Sequence, residues 1–308
     1  MSSHHSGRHS LPITPKDSHR LSHSQNFLVD EQLIQRLLSY VELGQADTVL
    51  EIGPGRGALT DALARLVPRV IAVEADTRLL FALLNRFAAC HRIMIVHGDF
   101  LDYPLPARPF IVVANIPFNH TAEIVHKLAD EESGLRSAYL IMQQEAAYKY
   151  TGRPERESHL LSHFLQLTFS VDYLCQIPRS CFSPKPSVDI AFVSIRKRKN
   201  PVLNSNDARQ FKDLLSYLFG RSRSSLHDAL ELVFSPIQVD LLFHSLRLDS
   251  GLRLSSISFI DWVNICFFFA EHGSVAAQSR IQGAYAKLLK DQAMLWKRHR
   301  TTQVSGRK

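Results

Sequence analysis

The sequence predicts an α/β fold, a Rossmann-like parallel sheet followed by a smaller helical domain. Short continuous apolar runs alternate with helical patterns, as expected when strands are buried on both faces of a sheet. A glycine-rich loop at residues 53–57 lies between the first such run and a helix, and this is the opening unit of dinucleotide-type folds. From residue 206 to residue 270 the apolar spacing is helical only.

The composition is that of a globular chain with a basic balance. The 308 residues are 45% hydrophobic and 21% charged, with a formal net charge of +7. This length suits one large domain and a small one, and the charge favours a polyanionic partner. The four cysteines form no Cys-x-x-Cys pair, so we expect reduced thiols, no metal site and a cytoplasmic location. No stretch approaches the roughly 18 apolar residues of a membrane span, so we expect no membrane partner.

The first predicted strand, residues 48–52, runs straight into the glycine loop. Gly53, Gly55 and Gly57 allow a tight turn and a close approach of the backbone to a ligand. Their spacing is Gly-x-Gly-x-Gly. It matches neither the Gly-x-Gly-x-x-Gly of the dinucleotide fingerprint nor the Gly-Lys-Ser/Thr of a phosphate loop. With an acidic residue two positions before Gly53, the loop suits adenosylmethionine better than a pyrophosphate.

The next two strands each lead to an acidic residue suited to an adenosine. Residues 70–73 end in Glu74, 21 positions after Gly53, near the offset of about 20 expected of a ribose-binding acid. A carboxylate at that strand end can accept from both ribose hydroxyls. Residues 93–96 lead to Gly98-Asp99-Phe100. Asp99 can accept from an adenine amine, and Phe100 can cover the face of the ring.

The fourth strand, residues 110–114, leads into Asn115-Ile116-Pro117-Phe118. In such sheets, ligands bind at the carboxyl ends of the strands. Asn115 offers one acceptor and two donors, so it can accept from an exocyclic amine while Phe118 stacks on the base that carries it. Taken alone, this stretch is more often a strand end closed by a proline turn. We expect side-chain helix caps at Asp30 and at Thr121.

Further strands are predicted at residues 138–142, 169–175 and 190–195, the last two antiparallel. Three prolines occur in the nine residues 178–186, which argues against helix in the loop between them. Phe182 lies in this loop. It is either the second face of a slot for a base or an ordinary packed aromatic.

Six motifs occur in a specific order. They are Ser-Gln-Asn-Phe-Leu at 24–28, Leu-Glu-Ile-Gly-Pro-Gly-Arg-Gly-Ala-Leu-Thr at 50–60, Val-Glu at 73–74, Gly-Asp-Phe at 98–100, Asn-Ile-Pro-Phe at 115–118 and Phe-Ser-Pro-Lys-Pro-Ser-Val-Asp at 182–189. Their order resembles the rRNA adenine N6-methyltransferases, above all the Erm-type erythromycin-resistance enzymes. The KsgA-type small-subunit rRNA dimethyladenosine transferases are the next family it resembles. The resemblance covers about residues 20–270.

The resemblance implies a class I, Rossmann-like methyltransferase with a seven-stranded sheet and a small C-terminal all-helical domain. It implies S-adenosyl-L-methionine as cofactor. It implies mono- or dimethylation of an adenine N6 in 23S rRNA, before the ribosome is fully assembled, by a monomer. For the Erm type this modification confers macrolide–lincosamide–streptogramin B resistance. From the residues and the resemblance together, we expect the cofactor to be bound by Gln25, Asn26, Leu28, Gly53, Gly55, Gly57, Glu74, Asp99, Phe100 and Asn115. The expected catalytic residues are Asn115, Ile116, Pro117 and Phe118, and those expected to bind the base are Phe118 and Phe182.

Changes in composition, together with the resemblance, divide the chain into four predicted segments. Residues 1–20 are rich in Ser, His and Pro, and we expect a flexible arm. The S-adenosylmethionine-binding domain is predicted at 21–199 and ends in a basic run before Pro201. A helical RNA-binding domain is predicted at 200–272, and a basic tail at 273–308.

Two alternatives stay open at the level of sequence. Asn119 is typical of the small-subunit dimethyltransferases, whereas Ala114, Ile116 and the run at 261–263 favour the Erm type. Phe118 stands where these families usually have Tyr, a variant that keeps stacking and loses the hydroxyl. The alternative from another class is a methyltransferase fold kept only for binding rRNA. The intact set of Gly53, Glu74, Asp99 and Asn115 argues against it.

Overall fold

The computed structural model describes residues 26–45, 47–130, 133–151, 160–221, 225–249 and 251–291. Gln25 and the predicted N-terminal arm lie outside these ranges, as do residues 292–308 of the predicted basic tail. The chain divides into two compact units, a first made of Met1–Gln144 and Leu174–Ser194 and a second made of Glu145–Tyr173 and Ile195–Lys308. The four segments predicted from composition stay predictions.

The strands, in chain order, are β1 (Phe27–Leu28), β2 (Thr48–Ile52), β3 (Arg69–Glu74), β4 (Ile93–His97), β5 (Phe110–Asn115), β6 (Leu135–Gln143), β7 (Phe169–Ile177), β8 (Phe182–Ser183) and β9 (Ile190–Lys197). The helices up to β7 are α1 (Glu31–Leu38), α2 (Ala58–Leu66), α3 (Thr77–Arg86), α4 (Thr121–Leu128), α5 (Gln144–Thr151) and α6 (Leu160–Thr168). Those after β9 are α7 (Ser205–Phe219), α8 (Leu226–Leu230), α9 (Pro236–Leu246), α10 (Phe259–His272) and α11 (Val275–Ile281).

Seven strands form one sheet in the order β4-β3-β2-β5-β6-β9-β7. Strand β2 pairs in parallel with β3 on one side and with β5 on the other, and parallel pairs extend outward to β4 and β6. The strand order therefore reverses between β2 and β5, and ligands in open α/β sheets bind at such a point. The predicted seven-stranded Rossmann-like sheet is confirmed.

The sheet strands are apolar because helices cover them. Val49 and Ile111 are fully buried in one core with Leu37 of α1 and Leu63 of α2. Residues buried on both sides of a parallel sheet read as continuous apolar runs, and for this reason the central strands were recognisable in the sequence.

The first unit also contains a separate two-stranded ribbon. β1 pairs antiparallel with β8, with Phe27 opposite Ser183 and Leu28 opposite Phe182. The pairing brings the Ser-Gln-Asn-Phe-Leu motif beside the Phe-Ser-Pro-Lys-Pro motif. The proline-rich loop that carries β8 contains a 3-10 turn at Arg179–Cys181, which corrects the expectation of a loop without helix. Pro178 precedes this turn, a position where no backbone N–H is needed.

One predicted helix cap is confirmed and one is wrong. Asp30 caps α1, because its Oδ1 accepts from the Leu33 N–H at 2.9 Å. Thr121 does not cap α4; it is the first residue of the helix, and His120 precedes it without a side-chain cap bond. A 3-10 turn at Phe118–His120 leads directly into α4, and the Thr121 hydroxyl donates back to the Phe118 carbonyl at 3.0 Å.

The second unit is helical after β9, as the spacing predicts. Its core is built around Trp262 of α10, which is fully buried together with Phe211 of α7 and Phe269 of α10. Strands β7 and β9 are neighbours in the sheet. The Arg198 N–H donates to the Thr168 carbonyl at 2.8 Å, and the Ser170 hydroxyl bonds to the Arg196 carbonyl at 3.4 Å. Going into β7, the bonded position advances from 168 to 170 while its partner moves back from 198 to 196. The two strands therefore run antiparallel, as predicted. None of the helices in the described ranges has the length and apolarity needed to cross a membrane.

Candidate active site

The predicted site residues follow the carboxyl ends of four neighbouring parallel strands. Gly53 follows β2, Glu74 ends β3, Asp99 comes two residues after β4, and Asn115 ends β5. Because parallel strands in one sheet end at the same edge, their following residues share that edge. Motifs that are far apart in the sequence therefore lie at one edge of the sheet.

The glycine loop has a backbone that other residues rarely adopt. Gly53, Gly55 and Gly57 have φ angles of +63°, +59° and +80°, in the left-handed region that favours glycine. A Cβ at Gly55 would lie 2.7 Å from Cδ1 of Phe27, whereas a Cβ at Gly53 would meet nothing within 4 Å. The loop is therefore packed tightly by β1 at Gly55 and open at Gly53. Such an open glycine at a strand end fits the close approach of an adenosylmethionine to the backbone.

Glu74 ties the second strand end to the glycine loop. Its Oε2 accepts from the Gly55 N–H at 3.1 Å and its Oε1 accepts from the Asp76 N–H at 2.8 Å. The side chain is buried. Burial raises the pKa of Glu74, and the two backbone N–H groups oppose that shift. Each carboxylate oxygen has a further lone pair, so Glu74 is able to accept from ribose hydroxyls while it holds the loop.

A second buried carboxyl lies at the end of β2. Glu51 is 2% exposed, and its Oε2 accepts no hydrogen bond from the described part of the chain. Burial raises the pKa of Glu51 to about 8, and the charge of Glu74 acts in the same direction. The free protein therefore holds a neutral carboxylic acid beside the glycine loop near neutral pH. The sequence marked this acid only by its spacing from Gly53.

Asp99 and Phe100 lie in a turn after β4. Asp99 is exposed, and its Oδ1 accepts from the Leu101 N–H at 2.8 Å. Its second carboxylate oxygen is suited to accept from an adenine amine. Phe100 is buried, and the Lys127 Nζ lies 5.0 Å from the centre of its ring. The contacts of the two residues with an adenine stay predictions.

Asn115 has a fixed carboxamide with one acceptor left over. Its Nδ2 donates to the Asn26 carbonyl oxygen at 2.8 Å. A carbonyl only accepts, so the assignment of nitrogen and oxygen in this amide follows from the contact itself. Its Oδ1 is buried and accepts no hydrogen bond from any described residue. An unmet buried acceptor costs about 1–3 kcal/mol, which indicates that a bound molecule supplies the donor.

The turn after Asn115 is held on both sides. The Ile116 N–H donates to the Ile141 carbonyl at 3.2 Å, and the Pro117 carbonyl accepts from the His120 N–H at 3.0 Å. Phe118 is half-buried and packs against the core of the first unit. The turn thus carries a half-buried aromatic ring three residues after the free acceptor of Asn115.

Phe182 and Leu28 have a more structural placement. They pair across the β1–β8 ribbon and are 3% and 8% exposed. With its ring in the core, Phe182 presents little surface to a base. The predicted roles of Phe182 in binding the base and of Leu28 in binding the cofactor stay predictions.

Two contacts in the site had no counterpart in the sequence reasoning. One is the main-chain carbonyl of Asn26 as the partner of Asn115, and the other is the packing of Phe27 on Gly55. The Arg56 guanidinium also lies 4.9 Å from the centre of the Phe27 ring. The Ser-Gln-Asn-Phe-Leu motif pointed to this segment but not to its contacts.

Comparisons with known proteins show the family of this chain. A family model described as ribosomal RNA adenine dimethylase matches residues 16–271. An rRNA methyltransferase of Streptomyces thermotolerans is 34% identical over 250 residues, which cover 81% of this chain and 83% of the relative. The ribosomal RNA small subunit methyltransferase A of Synechococcus elongatus is 32% identical over 257 residues, covering 79% and 92%. The crystal structure of the 23S rRNA methyltransferase ErmE aligns with a TM-score of 0.74 at 26% identity, covering 80% of this chain and 100% of that chain.

The sheet order and the row of strand-end residues define a class I methyltransferase. The chain belongs to the ribosomal RNA adenine dimethylase family. It is therefore an rRNA adenine methyltransferase whose cofactor is S-adenosylmethionine and whose partner is rRNA. The resemblance drawn from the order of six motifs is confirmed.

Proposed function

We propose that the enzyme methylates N6 of a specific adenine in 23S rRNA, and that it does so as a cytoplasmic monomer before the ribosome is fully assembled. The observation that carries the chemical part of this proposal is the anchored carboxamide of Asn115 with its free Oδ1. An exocyclic amine has N–H groups that can donate to this oxygen, which accepts no hydrogen bond from the described residues.

The difficulty of the reaction is that the lone pair of adenine N6 is delocalised into the ring. Asn115 Oδ1 and a main-chain carbonyl, of Ile116 or Pro117, accept from the two N–H bonds of the amine. These two hydrogen bonds draw the nitrogen toward tetrahedral geometry and aim its lone pair away from the ring. S-adenosylmethionine supplies an electrophilic methyl group. Positioning of this kind lowers a barrier by several kcal/mol.

No basic side chain is required before methyl transfer in this account. The amine attacks as a neutral nucleophile, and its new N–C bond would replace the S–C bond of S-adenosylmethionine, which leaves as S-adenosylhomocysteine. The surplus proton of the cationic nitrogen passes to water. Asn115 is neutral and acts through geometry and dipole, as expected of a preorganised polar group.

The target base has to leave its stack to reach the sheet edge. Unstacking a base costs a few kcal/mol, and stacking on an aromatic ring returns about 1–3 kcal/mol. Phe118 is suited to this task because it packs against the core and its side chain is only half-buried.

Two observations bear on which rRNA is the substrate. The alignment with ErmE over its whole length supports 23S rRNA. The small-subunit methyltransferase of Synechococcus elongatus, matched over 92% of its length, supports 16S rRNA as the second candidate. Macrolide–lincosamide–streptogramin B resistance follows only from the first.

The test is to offer the purified enzyme 23S rRNA, 16S rRNA and both assembled subunits with labelled S-adenosylmethionine. We expect label in free 23S rRNA and much less in the assembled large subunit. Mass spectrometry then locates the adenine and counts its methyl groups. Label confined to 16S rRNA would overturn the 23S assignment, and no label in any RNA would overturn the proposed substrate class. Raised macrolide tolerance of a sensitive bacterium that expresses the gene, lost with Asn115→Ala, is the expected cellular result.

A further inference from the structure

Lys127 is placed unusually for a lysine near the end of a surface helix. Its Nζ donates to three main-chain carbonyls, those of Phe100 and Leu101 at 2.8 Å and that of Tyr103 at 2.5 Å. An ammonium group has three donors, so all three are used on one short loop. This loop, residues 99–103, begins with the acid predicted to meet the cofactor adenine.

The loop has the form of a single helical turn. The N–H groups of Asp102 and Tyr103 both donate to the Asp99 carbonyl, at 3.1 Å and 3.0 Å. The last carbonyls of a helical turn have no N–H partner within the turn, and that end carries a partial negative charge. A cation at that end stabilises the turn as lysine does at a helix C-terminus. Lys127 therefore fixes the conformation of the loop that presents Asp99.

At its other end, the same helix is hydrogen-bonded to the turn that follows Asn115. The Thr121 hydroxyl of α4 donates to the Phe118 carbonyl at 3.0 Å. Thr121 and Lys127 are the first and the seventh of the eight residues of α4. One short helix thus connects the turn that holds the target base to the loop that faces the cofactor adenine.

We propose that Lys127 is a positioning residue for S-adenosylmethionine. It holds the 99–103 loop so that Asp99 faces the adenine of the cofactor, and α4 keeps this loop in register with the Asn115–Phe118 turn. The inference rests on the proposed role of Asp99, and Lys127 itself touches neither substrate nor cofactor. Its effect should fall on affinity for the adenosine part of the cofactor more than on methyl transfer.

The experiment compares Lys127→Met and Lys127→Arg in the full-length chain. Met is unbranched and only one atom shorter than Lys, and it removes all three donors, whereas Arg keeps the charge. Calorimetry measures the Kd of S-adenosylmethionine and of 5′-deoxy-5′-methylthioadenosine, which carries the adenosine without the amino acid. Initial rates give kcat and the KM of each substrate.

We expect Lys127→Met to raise the Kd of both ligands about tenfold, as for loss of about 1.4 kcal/mol, and the KM of S-adenosylmethionine by a similar factor. The expected kcat at saturating cofactor stays within about twofold, because the acceptor of Asn115 is untouched. Lys127→Arg should restore most of the affinity. Lys149→Met, which removes a lysine bonded to Glu145 at 2.9 Å in the second unit, is the control that should leave both Kd values unchanged.

Separate outcomes test the inference and its premise. If wild-type protein bound neither ligand, the cofactor site itself would be wrong. If wild-type protein bound both and Lys127→Met bound them equally well, the positioning role would be overturned. Should Lys127→Met fail to fold, Lys127→Leu also removes every donor, and unchanged affinities in a folded Leu variant contradict the proposal. A fall in kcat with unchanged Kd values also contradicts it.

Discussion

Asn115 and Asn26 lie 89 positions apart in the sequence, and the Nδ2 of Asn115 donates to the Asn26 carbonyl oxygen at 2.8 Å. This bond fixes which end of the carboxamide faces the site. The backbone of the N-terminal motif, and not its side chain, therefore orients the acceptor that we propose for the adenine amine. It also brings a segment that precedes the first sheet strand to the end of β5.

The contact between Phe27 and Gly55 leads to a first prediction. Gly55→Ala should destabilise the protein by at least about 1–2 kcal/mol, the cost of a left-handed residue with a Cβ, since that Cβ would also lie 2.7 Å from the Phe27 ring. Urea unfolding measures the loss, and calorimetry should show S-adenosylmethionine binding weakened tenfold or more.

A matched control and a double variant separate the two causes. A Cβ at Gly98 meets nothing within 4 Å and its φ is not positive, so Gly98→Ala should leave stability nearly unchanged. Adding Phe27→Leu to Gly55→Ala should recover the part due to the clash but not the part due to φ. Equal losses at Gly55 and Gly98 would contradict this account of the loop.

Phe118 yields a second prediction, on substrate binding. Phe118→Tyr keeps the ring and should retain kcat/KM for rRNA within about threefold. Phe118→Ala should lower kcat/KM about tenfold to a hundredfold, because stacking returns about 1–3 kcal/mol per base.

Phe182→Leu tests the other aromatic predicted to bind the base, which lies in the β1–β8 ribbon. A loss there without loss of stability would support the base-binding role that its burial does not favour.

Glu51 yields a third prediction, on stability against pH. Its folded-state pKa of about 8 lies above the usual 4.5. Between these two pH values the folded protein keeps a proton on Glu51 that the unfolded chain releases. Its contribution to stability is complete below pH 4.5 and is lost as the pH rises toward 8, with a slope of up to about 1.4 kcal/mol per pH unit.

The measurement is urea unfolding of wild-type protein and Glu51→Gln between pH 6 and pH 8.5. The Gln variant has no such proton, so its stability should fall less steeply over this interval. The pKa of Glu74 is also raised, but that residue is present in both proteins and its effect should largely cancel in the difference. If the free energy of unfolding fell equally steeply with pH in the two proteins, Glu51 would be ionised in the folded state.

Local patterns were enough to predict the sheet, the glycine loop and the acids after the strands. The run at 110–114 is apolar throughout because β5 is buried on both faces, and Asp30 sits where a cap is needed. The prediction for Thr121 failed because the 3-10 turn before α4 is created by the bonded Pro117–His120 turn, which no local pattern shows.

The remaining features depend on partners far away in the sequence. A lysine in the last turn of a helix usually lies in solvent, so nothing in the sequence separates Lys127 from an ordinary surface residue. Phe182 is buried because β8 pairs with β1, a pairing of two-residue strands too short to leave a pattern. The free Oδ1 of Asn115 likewise follows from a main-chain bond, which no residue type announces.

The central claim is that Asn115 Oδ1 accepts from the adenine amine, and Asn115→Asp probes the anchor of that group. The Asp variant keeps oxygen acceptors but loses the donor to the Asn26 carbonyl, so its carboxylate would face that oxygen without a hydrogen. We expect it to fall well below wild-type activity. Activity equal to that of wild-type protein would show that the anchor is dispensable.

The most direct measurement is single-turnover transfer of labelled methyl to rRNA by Asn115→Ala, with the cofactor Kd measured alongside. Removing one preorganised polar group of this kind lowers the rate by about 10²–10³. The account predicts a loss of that size in the methyl-transfer rate and a change in the Kd of S-adenosylmethionine of less than about fivefold, a difference of about 1 kcal/mol. An unchanged transfer rate, or a loss explained entirely by weaker cofactor binding, would contradict the account.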